Sequence, residues 1–206
     1  MNKTLSSLIM LMLLFAWWSS LTIGLSSDEY FHHINGLVRY KFLISFGEIQ
    51  KFEFRNNEFY PGLYDTISYA LGQIVFLINK KFYANNIDVV MHFVNISFST
   101  LSILGLYLLT QKLFNKKIAL ITTLLTLLNP FFFGHMGMNS KDIIVFFAFI
   151  WSCYYFYLYC TENNNLSKNL IFFSLFFGFG CGVRLTFVVV IFPAFIAGLY
   201  FLLRKH

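Results

Sequence analysis

The chain has 206 residues, of which 58% are hydrophobic and only 12% charged, with a mean hydropathy of +0.66. Soluble domains carry about 25% charged residues, so this composition excludes an ordinary water-soluble domain. The net charge of +6 does not bring in nucleic acid as a partner: no polar segment carries a basic stripe interleaved with aromatics, and Lys and Arg beside apolar runs set membrane orientation instead.

In chain order, the first apolar run covers about Ser7 to Leu25. It is long for the core of a signal peptide and no small-x-small cleavage site follows, so it reads as an uncleaved first span. Ser26 to about Asp88 is the one long polar region, with Asp28, Glu29, His32, His33, Arg39, Lys41, Glu48, Lys51, Glu53, Arg55 and Glu58. Tyr60-Pro61-Gly62 is a turn signal inside it. Leu63 to Asn79 is apolar but interrupted by Asp65 and Gln73, which suits an amphipathic helix lying in the interface better than a crossing.

Clearer runs follow: Val89–Thr110, a short basic loop through Lys112, Lys116 and Lys117, Ile118–Gly134 ending near Asn129-Pro130, a polar loop His135–Lys141, and Asp142–Cys160. A polar stretch Thr161–Lys168 with three consecutive asparagines precedes Asn169–Gly182 and Leu185–Leu203, two apolar runs hinged at Arg184. Runs of about 18 or more apolar residues match the hydrocarbon core. The expected fold is all-α: a polytopic transmembrane helical bundle of about six spans. It forms one domain over residues 1–206, with a first outer loop at 26–88 carrying interfacial helices.

Cys153, Cys160 and Cys181 sit in apolar stretches without metal-ligand or redox spacing and read as small apolar fillers. The three Asn-x-Ser/Thr tripeptides, at Asn2, Asn95 and Asn165, fall in a span or on the cytoplasmic side and read as chance.

Lys and Arg concentrate in cytoplasmic loops. If Leu63–Asn79 does not cross, Lys3, the Lys112–Lys117 loop, Lys168 and the Arg204-Lys205 end all fall on one side. A crossing there would strand Lys3. The non-crossing topology places both termini in the cytoplasm and brings Asp28, Glu29, His32, His33, His135, Lys141, Asp142 and Arg184 to the outer surface. Ionisable residues at a span edge are a functional-site signal. Asp28 can act as a general base towards a hydroxyl, or simply end the first helix. His32-His33 could bind a metal or a phosphate, with His32 favoured because it lies one helical turn beyond Asp28, and a surface histidine is the competing reading. His135, Lys141 and Asp142 could hold a phosphate, or form a solvated loop with Asp142 at a helix start, where the dipole favours a carboxylate. Arg184 could pair with an anionic lipid head group, or snorkel.

The order of these features resembles the N-terminal part of the GT-C glycosyltransferases, within them the protein O-mannosyltransferase and lipid A aminoarabinose transferase group. The residues that carry the resemblance are Asp28-Glu29-x-x-His32 after the first span, the long outer loop, and a span ending in a basic Gln-Lys-Leu-Phe. The span ending Asn129-Pro130, the loop with His135 and Asp142, and Gly178-Phe-Gly-x-Gly-x-Arg184 complete it. The resemblance implies a polyprenyl-phosphate-linked sugar donor and transfer to an acceptor on the outer face of the cell (inner) membrane, usually with inversion. It implies Asp28 as the base, Glu29 as its assistant, and Asp142 at the family's second acidic position. Lys141 and Arg184 become candidates for the donor phosphate, with His32 and His135 as further polar contacts. No cofactor is demanded, and a divalent metal at Asp28 and Asp142 is compatible. Members of that group usually run longer, so the chain reads as a partial or shortened relative. A non-catalytic subunit needing a partner chain, or a transporter, remains open at this point.

Overall fold

The computed structural model describes residues 2–48, 61–162 and 165–205. Lys51, Glu53, Arg55, Glu58 and Tyr60, two of the three asparagines and His206 lie outside the described residues. Among the described residues ten helices follow in order: α1 (Asn2–Thr22), α2 (Ser27–Ile44), α3 (Leu63–Ile78), α4 (Lys80–Asn85), α5 (Ile87–Leu113), α6 (Lys116–Leu128), α7 (Pro130–Met138), α8 (Asp142–Thr161), α9 (Leu166–Val183) and α10 (Phe187–Lys205). The all-helical expectation is met.

Among the described residues four helices, α1, α5, α8 and α9, are long and apolar enough to cross a membrane, and α6 with α7 makes a fifth if the bent pair is one span. The apolar part of α10, Phe187–Gly198, is shorter, so four or five crossings are supported and about six is compatible. α3 is 16 residues long and tucks its buried face, Tyr64, Asp65, Ser68 and Gly72, against its neighbours. That agrees with an amphipathic helix packed beside the bundle.

The α6–α7 region corrects two expectations. Ile118–Gly134 is not one straight span, because α6 and α7 meet at 73°. Nor is His135–Lys141 all loop, since α7 continues to Met138. The physical reason lies at the break. Asn129 is extended, and its Oδ1 accepts from the amides of Phe131 (3.0 Å) and Phe132 (3.2 Å). Pro130 at the first helical position needs no N–H partner. A cap therefore replaces helix continuation, and α7 starts in a new direction.

Polar side chains hold α7 in place. Ser99 of α5 donates to the Met136 carbonyl at 2.7 Å and Asn95 to the Gly137 carbonyl at 2.9 Å. Such bonds between helices are what hold a bundle together where solvent-driven burial is weak. Around them, Ala16, Ile96, Ile103, Leu127 and Met136 form one core, between α1, α5, α6 and α7. A second, built on Ala148, Phe173, Phe187 and Ile191, joins α8, α9 and α10.

The helix ends sort into two sets. At one end, the α5–α6 and α8–α9 connections approach each other, with Lys112 Nζ 2.7 Å from Glu162 Oε1. The opposite end carries the end of α1, the α7–α8 connection and the α9–α10 connection, where Asp142 and Arg184 meet.

Candidate active site

At that second end lies a cleft of about 290 Å³. Asp28 and His32 of α2, His135 and Asn139 from the end of α7, and Lys141, Asp142 and Arg184 all line it. Six of the seven candidate residues are thus brought together from three separate parts of the chain.

α2 presents Asp28 because of how its N-terminus is built. Ser26-x-x-Glu29 has capping-box spacing, and the Ser26 amide donates to Glu29 Oε2 at 2.7 Å. Asp28 and Glu29 both stand in the first turn, where the helix dipole favours carboxylates. Neighbouring helix positions point about 100° apart, and the two carboxylates diverge accordingly: Asp28 is exposed and lines the cleft, whereas Glu29 is fully buried.

Glu29 departs from the expected arrangement beside Asp28, because it turns away from the cleft into the bundle. Its Oε1 lies 2.7 Å from His92 Nε2 of α5, itself fully buried. The two form a buried histidine–carboxylate contact. It fixes the first turn of α2 to a membrane span.

His32 is held from behind. Its Nδ1 sits 3.0 Å from Asp65 Oδ1 of α3, and both side chains are about 5% exposed. Asn35 Nδ2 donates to the other Asp65 oxygen, and Arg39 Nε donates to Asn35 Oδ1 at 3.2 Å. Gly36 allows this approach: a Cβ there would run into the Asp65 backbone. His33, on another face of α2, has its pKa lowered by burial, so it is neutral at pH 7.

The other side of the cleft is organised by Asn139. Its Oδ1 accepts from the amides of Lys141 (3.1 Å) and Asp142 (2.8 Å). Its Nδ2 lies 3.1 Å from both His135 Nδ1 and Asp142 Oδ2. Asp142 Oδ1 then meets Arg184 Nη1 at 2.9 Å. Both partners are half-exposed, so this pair adds little stability, but it aims the guanidinium. Arg184 has five N–H donors, and those not used on Asp142 remain for an anion. Its backbone is extended between α9 and α10, which puts it at a helix junction rather than on a membrane-facing stripe.

Among the described residues no group of three or more His, Cys, Asp or Glu side chains converges as a metal-ligand set. Asp142 is already committed to Arg184 and Asn139. The residues present therefore do not build a metal centre at Asp28 and Asp142, and no step below is routed through one.

Sequence reasoning missed Asp65, His92 and Asn139. Asp65 was visible as a carboxylate interrupting an apolar run. His92 lay inside a span, where an ionisable residue is itself a signal. Asn139 gave none beyond its place three residues before Asp142.

A family model described as dolichyl-phosphate-mannose-protein mannosyltransferase matches residues 69–206. The chain belongs to the dolichyl-phosphate-mannose-protein mannosyltransferase family. It is thus a multi-pass membrane protein of a glycosyltransferase family, one that uses a polyprenyl-phosphate-linked sugar as donor. The resemblance to GT-C glycosyltransferases is borne out. The mannosyltransferase match includes His135, Lys141, Asp142 and Arg184, and begins after Asp28, Glu29 and His32. No curated protein and no solved structure matches the chain.

Proposed function

We propose that this chain transfers a sugar from a polyprenyl-phosphate donor to an acceptor hydroxyl at the outer face of the cell (inner) membrane, with both termini in the cytoplasm. The observation that carries the reading is the cleft itself. It offers a solvent-accessible carboxylate from α2 on one side and two cations, Lys141 and Arg184, on the other. The family membership supplies the donor class.

Asp28 takes the acceptor proton as the acceptor oxygen bonds to the anomeric carbon. The bond from that carbon to the phosphate oxygen breaks, and polyprenyl phosphate leaves with the electron pair. Lys141 and Arg184 hold the phosphate and stabilise the charge that develops on it. Asp142 and Asn139 set the position of Arg184 and of the Lys141 backbone, with His135 as a supporting polar contact. Base and leaving group on different sides of the sugar give inversion. Glu29 acts indirectly, by fixing the turn that carries Asp28. The basic connection at Lys112–Lys117 lies at the other end of the bundle, which supports the cleft end as the outer one.

Membranes containing the chain should transfer label from a radiolabelled polyprenyl-phosphate sugar, and Asp28→Asn should abolish it at equal protein level. Full transfer by Asp28→Asn would remove Asp28 as the base.

A further inference from the structure

Two histidine–carboxylate pairs lie near the cleft, and they differ in what the imidazole reaches. His92 and Glu29 are sealed inside the bundle. His32 is backed by Asp65 yet lines the cleft together with Asp28.

Asp65 is rigidly placed, with one oxygen on His32 and the other on Asn35, which Arg39 in turn holds. An imidazole whose Nδ1 faces a fixed carboxylate oxygen carries its proton there, and Nε2 keeps a lone pair. Asp28 and His32 stand one helical turn apart on α2, with Cβ atoms about 5–6 Å from each other, and both line the cleft. The position of His32 decides between its two conceivable roles. The cations for the leaving phosphate come from the α7–α8 and α9–α10 connections. His32 comes from α2, on the side of the base.

We infer that His32, held in one tautomer by Asp65, is the relay that takes the acceptor's proton from Asp28 and returns the carboxylate to its ionised state. This rests on the function proposed above. The proton passes from the acceptor O–H to Asp28 as the glycosidic bond forms, then to His32 Nε2, and then to water at the cleft mouth. Asp65 holds the ring through Nδ1 and is a positioning residue that touches no substrate. Without the relay, Asp28 must lose its proton to solvent unaided between turnovers.

The test uses the full chain in lipid nanodiscs with ¹⁵N-labelled histidine. The His32 signals are assigned as those missing in His32→Gln. In the unaltered chain the neutral His32 should carry its proton on Nδ1, and Asp65→Asn should release that preference. A proton on Nε2, or a tautomer indifferent to Asp65→Asn, overturns the inference, whether or not transfer is observed. In transfer assays His32→Gln should lower kcat about tenfold or more at unchanged donor KM, with partial recovery in added imidazole. A raised donor KM with kcat intact would overturn the relay and make His32 a donor contact. Absence of transfer by the unaltered chain overturns the proposed function and the relay with it, whereas transfer with the wrong tautomer, or with His32→Gln unaffected in kcat, overturns the relay alone.

Discussion

The α2–α3 junction and the α8–α10 bundle show two different ways of holding helices together. At α2–α3 the contacts nearest the cleft are directional: Asp65 of α3 holds His32 and Asn35 of α2, and Arg39 holds Asn35 in turn, with ring contacts of His33 and Tyr40 on Tyr69 further along. In α8–α10 they are many and non-directional. Phe147, Phe173, Phe177 and Phe195 meet their neighbours at ring separations of 5.0–5.9 Å. Each aromatic pair contributes about 0.5–1.5 kcal/mol, and no single one decides the geometry. A buried polar network has no such redundancy, because removing one member leaves its partner unsatisfied. The chemistry-bearing residues of α2 therefore stand on the less forgiving support.

That comparison can be broken or sharpened by substitution. The largest effect on transfer is expected for Asp28→Asn, with a loss of about a hundredfold or more, the scale of a positioned base. It should leave thermal stability unchanged in a melting assay, since Asp28 is exposed. Glu29→Gln should lower transfer through stability instead. Breaking a buried ion pair by removing one partner costs about 3–5 kcal/mol, seen as a lower melting temperature in detergent. Gly36→Ala comes next. The added methyl meets the Asp65 backbone and forces α2 from α3, costing about 1–3 kcal/mol by overpacking. It should also detach His32 from Asp65, so activity falls further than stability explains. Phe173→Leu, in the aromatic bundle, should be the mildest, at about 1 kcal/mol and with transfer near normal. If Phe173→Leu harmed transfer more than Gly36→Ala, the contrast between the two regions would fail.

Much of this architecture was legible in the sequence because it depends on local pattern. Apolar runs of span length fix α1, α5, α8 and α9, and the parity of the basic loops brings Asp28, His135, Lys141, Asp142 and Arg184 to one end. The acidic pair after α1 pointed to the end of the bundle that carries the candidate cleft. Which member of that pair faces the cleft was not legible, because it depends on where His92 lies once the start of α5 meets the first turn of α2. His32 and Asp65 are 33 positions apart, and only the crossing of α2 and α3 at Gly36 makes them partners. The bend at Asn129 was half legible. Asn-Pro announces a break, but the direction of α7 is set by Ser99 and Asn95 on another helix.

In the proposed mechanism the two sides of the cleft divide the work, one holding donor phosphate and the other activating the acceptor. Equilibrium binding of polyprenyl phosphate to the purified chain, in its unaltered form and as Arg184→Gln, Lys141→Gln and Asp28→Asn, tests that division without needing an acceptor. The account predicts affinity weakened about tenfold or more in the Arg184 and Lys141 variants, the scale of a lost charge-assisted contact, and preserved in Asp28→Asn. Equal affinity in all four forms would contradict it.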